Sequence, residues 1–150
     1  NPACGRRPVA ADLASDWRVA LCAAGFDAAV RSAWLVEGVL FYLPVSVTRS
    51  VLEIVSSLAA PGSRLGFDVV NAAVLVSPYT KAWIDMQATA GAPWIGSLDD
   101  PGAVLADLGW SASLVQPGEP EANHGRWTLP VPPASMPELP HSWYVTATRL

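Results

Sequence analysis

Cysteine is scarce: Cys4 and Cys22 are the only two in 150 residues, and neither has a second Cys or a His at metal-ligand spacing. A disulfide framework and a thiolate metal centre are excluded on that ground, and the two read as structural thiols. Runs of like charge are missing as well. The formal net charge of -4 is scattered along the chain, so there is no surface to neutralise a row of phosphates, and no nucleic-acid partner is expected. No stretch stays apolar for the length a bilayer demands, and Asn1 to Arg7 lacks the basic-then-apolar layout of a signal peptide. The expectation is a soluble, cytoplasmic protein with no membrane partner. The chain also lacks an initiating Met, which points to a processed or partial product.

What remains is a composition of 51% hydrophobic and 15% charged residues, that of a packed interior and of one globular unit. Its most informative stretch is Trp34 to Leu43, an apolar run, a lone carboxylate at Glu37, Gly38, and a second apolar run closed by Pro44. A strand buried on both faces is nearly continuous hydrophobe, and open α/β sheets place ligands beyond the carboxyl ends of such strands. Glu37 stands at that point. Its plainer reading, a solvated loop carboxylate or local cap, stays open at this stage.

In chain order, Pro8 to Ala11 reads as a short strand ending on Asp12-Leu13. Ser15 stands as N-cap of an amphipathic helix through Trp17, Leu21 and Ala24, closed by Gly25 and followed by the packing residue Phe26. Ser32 to Val36 is the next strand. Asp12 and Glu37 thus occupy equivalent places at the ends of two expected parallel strands. From Val45 the apolar spacing becomes helical, through Val47, Val51, Ile54, Val55 and Leu58, until Ala60-Pro61-Gly62-Ser63 stops it. Arg64 to Val70 is a third strand, parallel to its predecessor because a helix joins them. Ser77-Pro78 begins a helix whose Tyr79, Trp83, Met86 and Ala90 read as an inward stripe, and Asp99-Asp100-Pro101 caps another that ends at Gly109. Trp110 to Val115 and Ser142 to Arg149 are strands, joined by a proline-rich surface connection from Gln116 to His141 and therefore antiparallel.

The segments Asp12-Leu13, Asp16-Trp17, Ala24-Gly25-Phe26-Asp27, Trp34 to Leu43 with its Glu-Gly-x-Leu-x-Tyr-Leu core, Ala60 to Arg64, Gly91 to Trp94, Leu108-Gly109-Trp110, Gly125-Arg126-Trp127 and Tyr144 to Ala147 together resemble the leucine carboxyl methyltransferase family, in its actinobacterial S-adenosyl-L-methionine-dependent branch. That resemblance implies an α/β fold: the Rossmann-like class I methyltransferase sheet, mostly parallel with a C-terminal antiparallel hairpin and without its first strands. Residues 1–150 then form the carboxyl-terminal part of a methyltransferase domain. It implies S-adenosyl-L-methionine as cofactor, with Asp12 and Leu13 flanking the adenine, Glu37 lining the cofactor pocket, Gly38 allowing close backbone approach and Tyr42 packing behind. Ala14 departs from the family, whose members often carry Arg there.

The family's glycine-rich turn, which turns amide groups toward the cofactor's carboxylate, has no counterpart in this sequence. Two readings follow: a truncated O-methyltransferase, or a non-catalytic remnant that self-associates through an exposed sheet edge or docks with a partner chain. Methyl transfer to oxygen is an in-line displacement that gains mainly from positioning and water exclusion, so no metal is expected and no catalytic side chain is singled out. The acceptor is a small molecule or a carboxylate or hydroxyl group of unknown identity. For a hydroxyl acceptor His124 is the one candidate base, against the reading of a surface histidine. His141 and the Asp99-Asp100 pair have structural readings, a satisfied histidine and a helix cap.

Overall fold

The computed structural model describes residues 3–150. Helix α1 (Arg18–Ala23) is followed by strand β1 (Ala33–Val36), a single 3-10 turn (Leu40–Tyr42), the long helix α2 (Val45–Leu58) and strand β2 (Arg64–Val70). Then come α3 (Ala72–Val76), α4 (Lys81–Thr89), α5 (Pro101–Asp107), β3 (Trp110–Val115), the one-turn α6 (Pro120–Asn123) and β4 (Ser142–Arg149).

The four strands form one sheet in the order β1-β2-β4-β3. β1 and β2 are parallel, in register Trp34 to Leu65 and Val36 to Phe67. β4 runs antiparallel to both of its neighbours, so β1, β2 and β3 share one direction and the last strand is inserted between β2 and β3 against them. The sheet is therefore mixed: three strands run one way, and the expected C-terminal antiparallel hairpin is present. The hairpin partners are set far apart in sequence, and their connection includes α6.

Strand alternation decides which residues are buried. Trp34, Val36, Leu65, Phe67, Val69, Val145, Ala147, Trp110 and Leu114 share one face and join the main core with Val51, Leu52, Val55 and Leu58 of α2 and Leu105 of α5. The α2 stripe falls at helical spacing, and each such side chain withdrawn from water contributes about 1.5–3 kcal/mol. Within this layer the Trp110 indole donates to Ser56 Oγ at 2.8 Å, and that hydroxyl donates to the Leu52 carbonyl at 2.6 Å. Arg149 lies over the Trp110 ring and donates to the Gly109 carbonyl at 2.7 Å, placing a cation where α5 leaves carbonyls unpaired. The opposite face is open: Leu35 is 74% and Tyr144 47% exposed.

Several expectations change. Pro8 to Ala11 form no strand; the segment is largely exposed and no described strand lies beside it to complete a ladder. Ser15 does not cap α1, since its hydroxyl donates to the Asp12 carbonyl at 2.7 Å and the Arg18 N–H goes to Asp16 instead. Gly25 does close that helix with a positive φ of 95°. α4 starts three residues later than Ser77-Pro78 predicts, and its stripe faces outward: Trp83 is 45% and Met86 52% exposed. Both cysteines are free and exposed rather than structural. The sequence reading contains no α3; its first N–H, that of Ala72, is met by Asp99 Oδ1 at 2.8 Å, a partner 27 residues away that no local pattern reveals.

Candidate functional site

At the carboxyl edge of β1 the chain turns sharply through Gly38, whose φ of 67° suits a residue without a side chain. Its N–H donates to Asp68 Oδ1 at 2.7 Å, which staples the post-β1 loop to β2. Glu37 is exposed, and among the described residues its carboxylate has no hydrogen-bond partner. With Leu35, Gly66, Asp68, Tyr144 and Thr146 it lines a cavity of about 260 Å³ on the open face of the sheet. A Cβ added to Gly38 would meet no atom within 4 Å, so the space beside this turn is free for a ligand.

Asp12 is held differently. Its Oδ1 accepts from Ala14 N at 2.9 Å and its carbonyl from Ser15 N at 3.0 Å, an Asx turn that presents the remaining carboxylate oxygen to solvent. Leu13 packs against the main core, together with Leu21 and Phe26. The cavity lined by Glu37 includes neither Asp12 nor Leu13. The sequence put Asp12 and Glu37 at equivalent strand ends; the structure gives only Glu37 that position, because residues 8–11 are not a strand. What stands at this strand end is an exposed carboxylate beside an uncrowded glycine.

Beyond the same sheet edge the post-β1 loop continues into an aromatic layer that sequence spacing did not reveal. Ile95 N and Gly96 N both donate to the Phe41 carbonyl, at 2.8 and 2.9 Å. A Cβ at Gly96 would overlap the carbonyl oxygens of Leu40 and Leu43, so only glycine permits this contact. Trp94 consequently stacks on Phe41, with ring centroids 4.3 Å apart and planes at 16°, and Trp83 meets Trp94 edge-on at 5.8 Å. Tyr42 sits beside Phe41 at 6.3 Å.

His141 is 2% exposed, with each ring nitrogen facing an oxygen: Nδ1 lies 2.7 Å from Gln116 Oε1 and Nε2 2.9 Å from the Met136 carbonyl. Asn71 completes the clamp by donating to the Pro137 and Leu139 carbonyls and accepting from His141 N. These contacts pin the proline-rich connection to the carboxyl edge of the sheet, so the structural reading of His141 stands. His124 is exposed at the end of α6 and lines a separate cavity of about 390 Å³ with Glu121 and Arg126. The Asp99-Asp100 pair is divided between two helix starts, Asp100 Oδ1 accepting from Ala103 N at 2.8 Å. Among the described residues no group of His, Cys, Asp and Glu is placed to hold a metal, and no helix is long and apolar enough to cross a membrane.

Residues 1–56 match the family model described as Leucine carboxyl methyltransferase. A protein of Streptomyces coelicolor named "Putative S-adenosyl-L-methionine-dependent methyltransferase" is 36% identical over 136 residues, covering 87% of this chain and 45% of that protein. A protein of the same description from Mycolicibacterium gilvum is 35% identical over 157 residues, covering 99% of the chain and 50% of that protein. The chain thus spans about half the length of the curated relatives it matches. Among solved structures, an O-methyltransferase family protein from Burkholderia thailandensis aligns at a TM-score of 0.49 and 16% identity, over 78% of this chain and 30% of that one.

Proposed function

We propose that this chain, which is similar over residues 1–56 to the leucine carboxyl methyltransferase family model and over most of its length to actinobacterial proteins named putative S-adenosyl-L-methionine-dependent methyltransferases, contributes one wall of the cofactor site of an O-methyltransferase. The observation that carries the reading is the turn after β1, where Glu37 is unpaired, Gly38 is uncrowded and Asp68 fixes the loop by its bond to the Gly38 N–H. When bound, S-adenosyl-L-methionine supplies an electrophilic methyl group. The part left to this chain is positional. Glu37 offers a carboxylate to the donor groups of the cofactor, and the loop through Phe41 sets the floor against which an acceptor is held. Holding the acceptor oxygen in line with the methyl group and keeping water out are the largest gains open to such a site. A carboxylate acceptor reacts without a base at neutral pH, as the leucine carboxyl type of chemistry requires.

Titration calorimetry with S-adenosylhomocysteine tests this. The expected result is measurable heat and a thermal shift, with affinity lowered about tenfold in Glu37→Gln, the loss typical of one hydrogen bond to a charged group. Neither heat nor a thermal shift at millimolar ligand rejects cofactor binding by this chain.

A second reading, of a non-catalytic unit that self-associates or docks with a partner chain, is favoured by one observation. β1 has a neighbour on one side only, and its Leu35 is 74% exposed, a combination that invites pairing with another chain. Light scattering on a size-exclusion column decides it: a dimer diminished by Leu35→Ser supports it, and a monodisperse monomer counts against it.

A further inference from the structure

We propose that a second cavity at the carboxyl edge of the sheet, between α4 and the β3–β4 connection, binds a flat, uncharged aromatic molecule bearing a hydroxyl. This binding stands on the cavity itself and is independent of the reading above. Its volume is about 270 Å³, and Trp83, Trp94, Trp127, Pro117, Pro132 and Pro140 form most of its wall. Three strands aim their ends at it: Val74 and Thr80 follow β2, Gln116 and Pro117 follow β3, and Ser142 opens β4. That is where open α/β sheets hold ligands.

The rings are fixed in place before any ligand arrives. Trp94 is sandwiched by its stack on Phe41 and its edge contact with Trp83. Trp127 is tied to α6 through Asn123, which accepts from the Trp127 N–H at 3.1 Å and donates to its carbonyl at 3.2 Å. The Trp127 ring also lies so close to Gly118 that a Cβ there would overlap it. Yet Trp83 and Trp127 remain 45% and 42% exposed, so two large rings stay half in water at a concave site. A flat apolar molecule covers them and gains ring-to-ring contact.

Charge selects the class. Among the described residues no Asp, Glu, Lys, Arg or His lines the cavity. A carboxylate there would lose its hydration against tryptophan and proline with no cation to replace it. The polar lining is mostly engaged: the Thr80 hydroxyl donates to the Val74 carbonyl at 2.6 Å, and the Gln116 side chain is held between Pro132 and His141. Ser142 Oγ and the buried Trp94 Nε1 have no hydrogen-bond partner among the described residues, which leaves one hydroxyl and one indole N–H for a polar group on the ligand. As to size, a dry cavity of roughly 150 Å³ accepts benzene, so this one has room for a two-ring molecule.

The test is a titration of the isotopically labelled 150-residue chain with 2-naphthol, and separately with 2-naphthoate, followed through the indole N–H signals in nitrogen-proton correlation spectra. Saturable shifts of the Trp83, Trp94 and Trp127 signals are expected, with the Trp110 signal in the core unmoved. Trp83→Ala, on a helix with no buried residue, is expected to weaken 2-naphthol about tenfold. Trp127→Leu serves as the second variant, and 2-naphthoate is expected to bind about tenfold more weakly than 2-naphthol. The proposal is overturned by the absence of saturable shifts, by shifts confined to other tryptophans, by undiminished binding in both variants, or by tighter binding of 2-naphthoate. Because no cofactor is present in this titration, its failure leaves the calorimetric result with S-adenosylhomocysteine intact, and the reverse also holds.

Discussion

The two faces of the sheet are built from the same strands yet differ in almost every physical respect. On one, Leu65, Phe67, Val145 and Trp110 are each no more than 4% exposed beneath α2 and α5. On the other, Leu35, Tyr144 and Thr146 are open, and Glu37 and Asp68 stand at the rim of a shallow cavity. Stability is concentrated on the first face, and the groups free to bind something lie on the second face and along the carboxyl edge. A side chain alternates between these roles with each step along a strand.

Substitutions can break or sharpen that contrast. Leu52 is fully buried in α2, so Leu52→Ala is expected to cost about 2–5 kcal/mol in urea unfolding, through lost burial and the cavity left behind. A cost below about 1 kcal/mol would mean that the covered face is not the stability-bearing one. Gly96→Ala should follow at about 1–3 kcal/mol, since the new methyl meets the Leu40 and Leu43 carbonyls. It should also loosen the stack of Trp94 on Phe41, visible as a change in near-ultraviolet circular dichroism. Trp110→Phe removes the donor to Ser56 but leaves that hydroxyl bonded to Leu52, and about 1 kcal/mol is expected. On the open face Leu35→Ser should leave the unfolding midpoint within about 0.5 kcal/mol of the parent.

The smallest effect belongs to Asp16 and Arg18 at the start of α1. The Arg18 guanidinium donates to both carboxylate oxygens, at 2.8 and 2.6 Å, and holds Asp16 below the usual carboxylate range while raising Arg18. A depressed carboxyl contributes stability above its unfolded pKa and loses it as the pH falls through the folded one. Both groups are exposed and screened. Asp16→Asn should therefore change stability slightly near neutral pH, and the difference from the parent should vanish in strong acid.

Most strands and the long helix were legible in the chain because their signals are local. The stripe from Val47 to Leu58 repeats at helical spacing, Arg64 to Val70 and Trp110 to Val115 are bounded by turn residues on each side, and Ser142 to Arg149 follows Pro140 with high β propensity. The failures share one cause. Pro8 to Ala11 has strand composition, but a strand exists only with a neighbour; α3 takes its cap from Asp99, and α4 turns Trp83 and Met86 outward because its inner contact is made by Ile84 against the cluster of Phe41, Val70 and Val74. Of the candidate site, Glu37 and Gly38 were readable from an acid and a glycine interrupting an apolar run. The gathering of Trp83, Trp94 and Trp127 was not, since they come from three segments with no common period.

The sequence by itself determined the α/β class, the parallel β1–β2 unit, the antiparallel pairing of β3 with β4 and the address of Glu37 at a strand end. Periodicity, turn residues and crossover length are properties of short stretches, and they survive in any context that lets the chain pack. Only the tertiary structure decided which face of the sheet is covered, that Asp12 lies in a turn apart from Glu37, and that three tryptophans surround one cavity. Those outcomes depend on contacts between residues far apart in the chain, such as Gly96 against Leu40 and Asn71 against the segment before His141, whose energies have no trace in local composition.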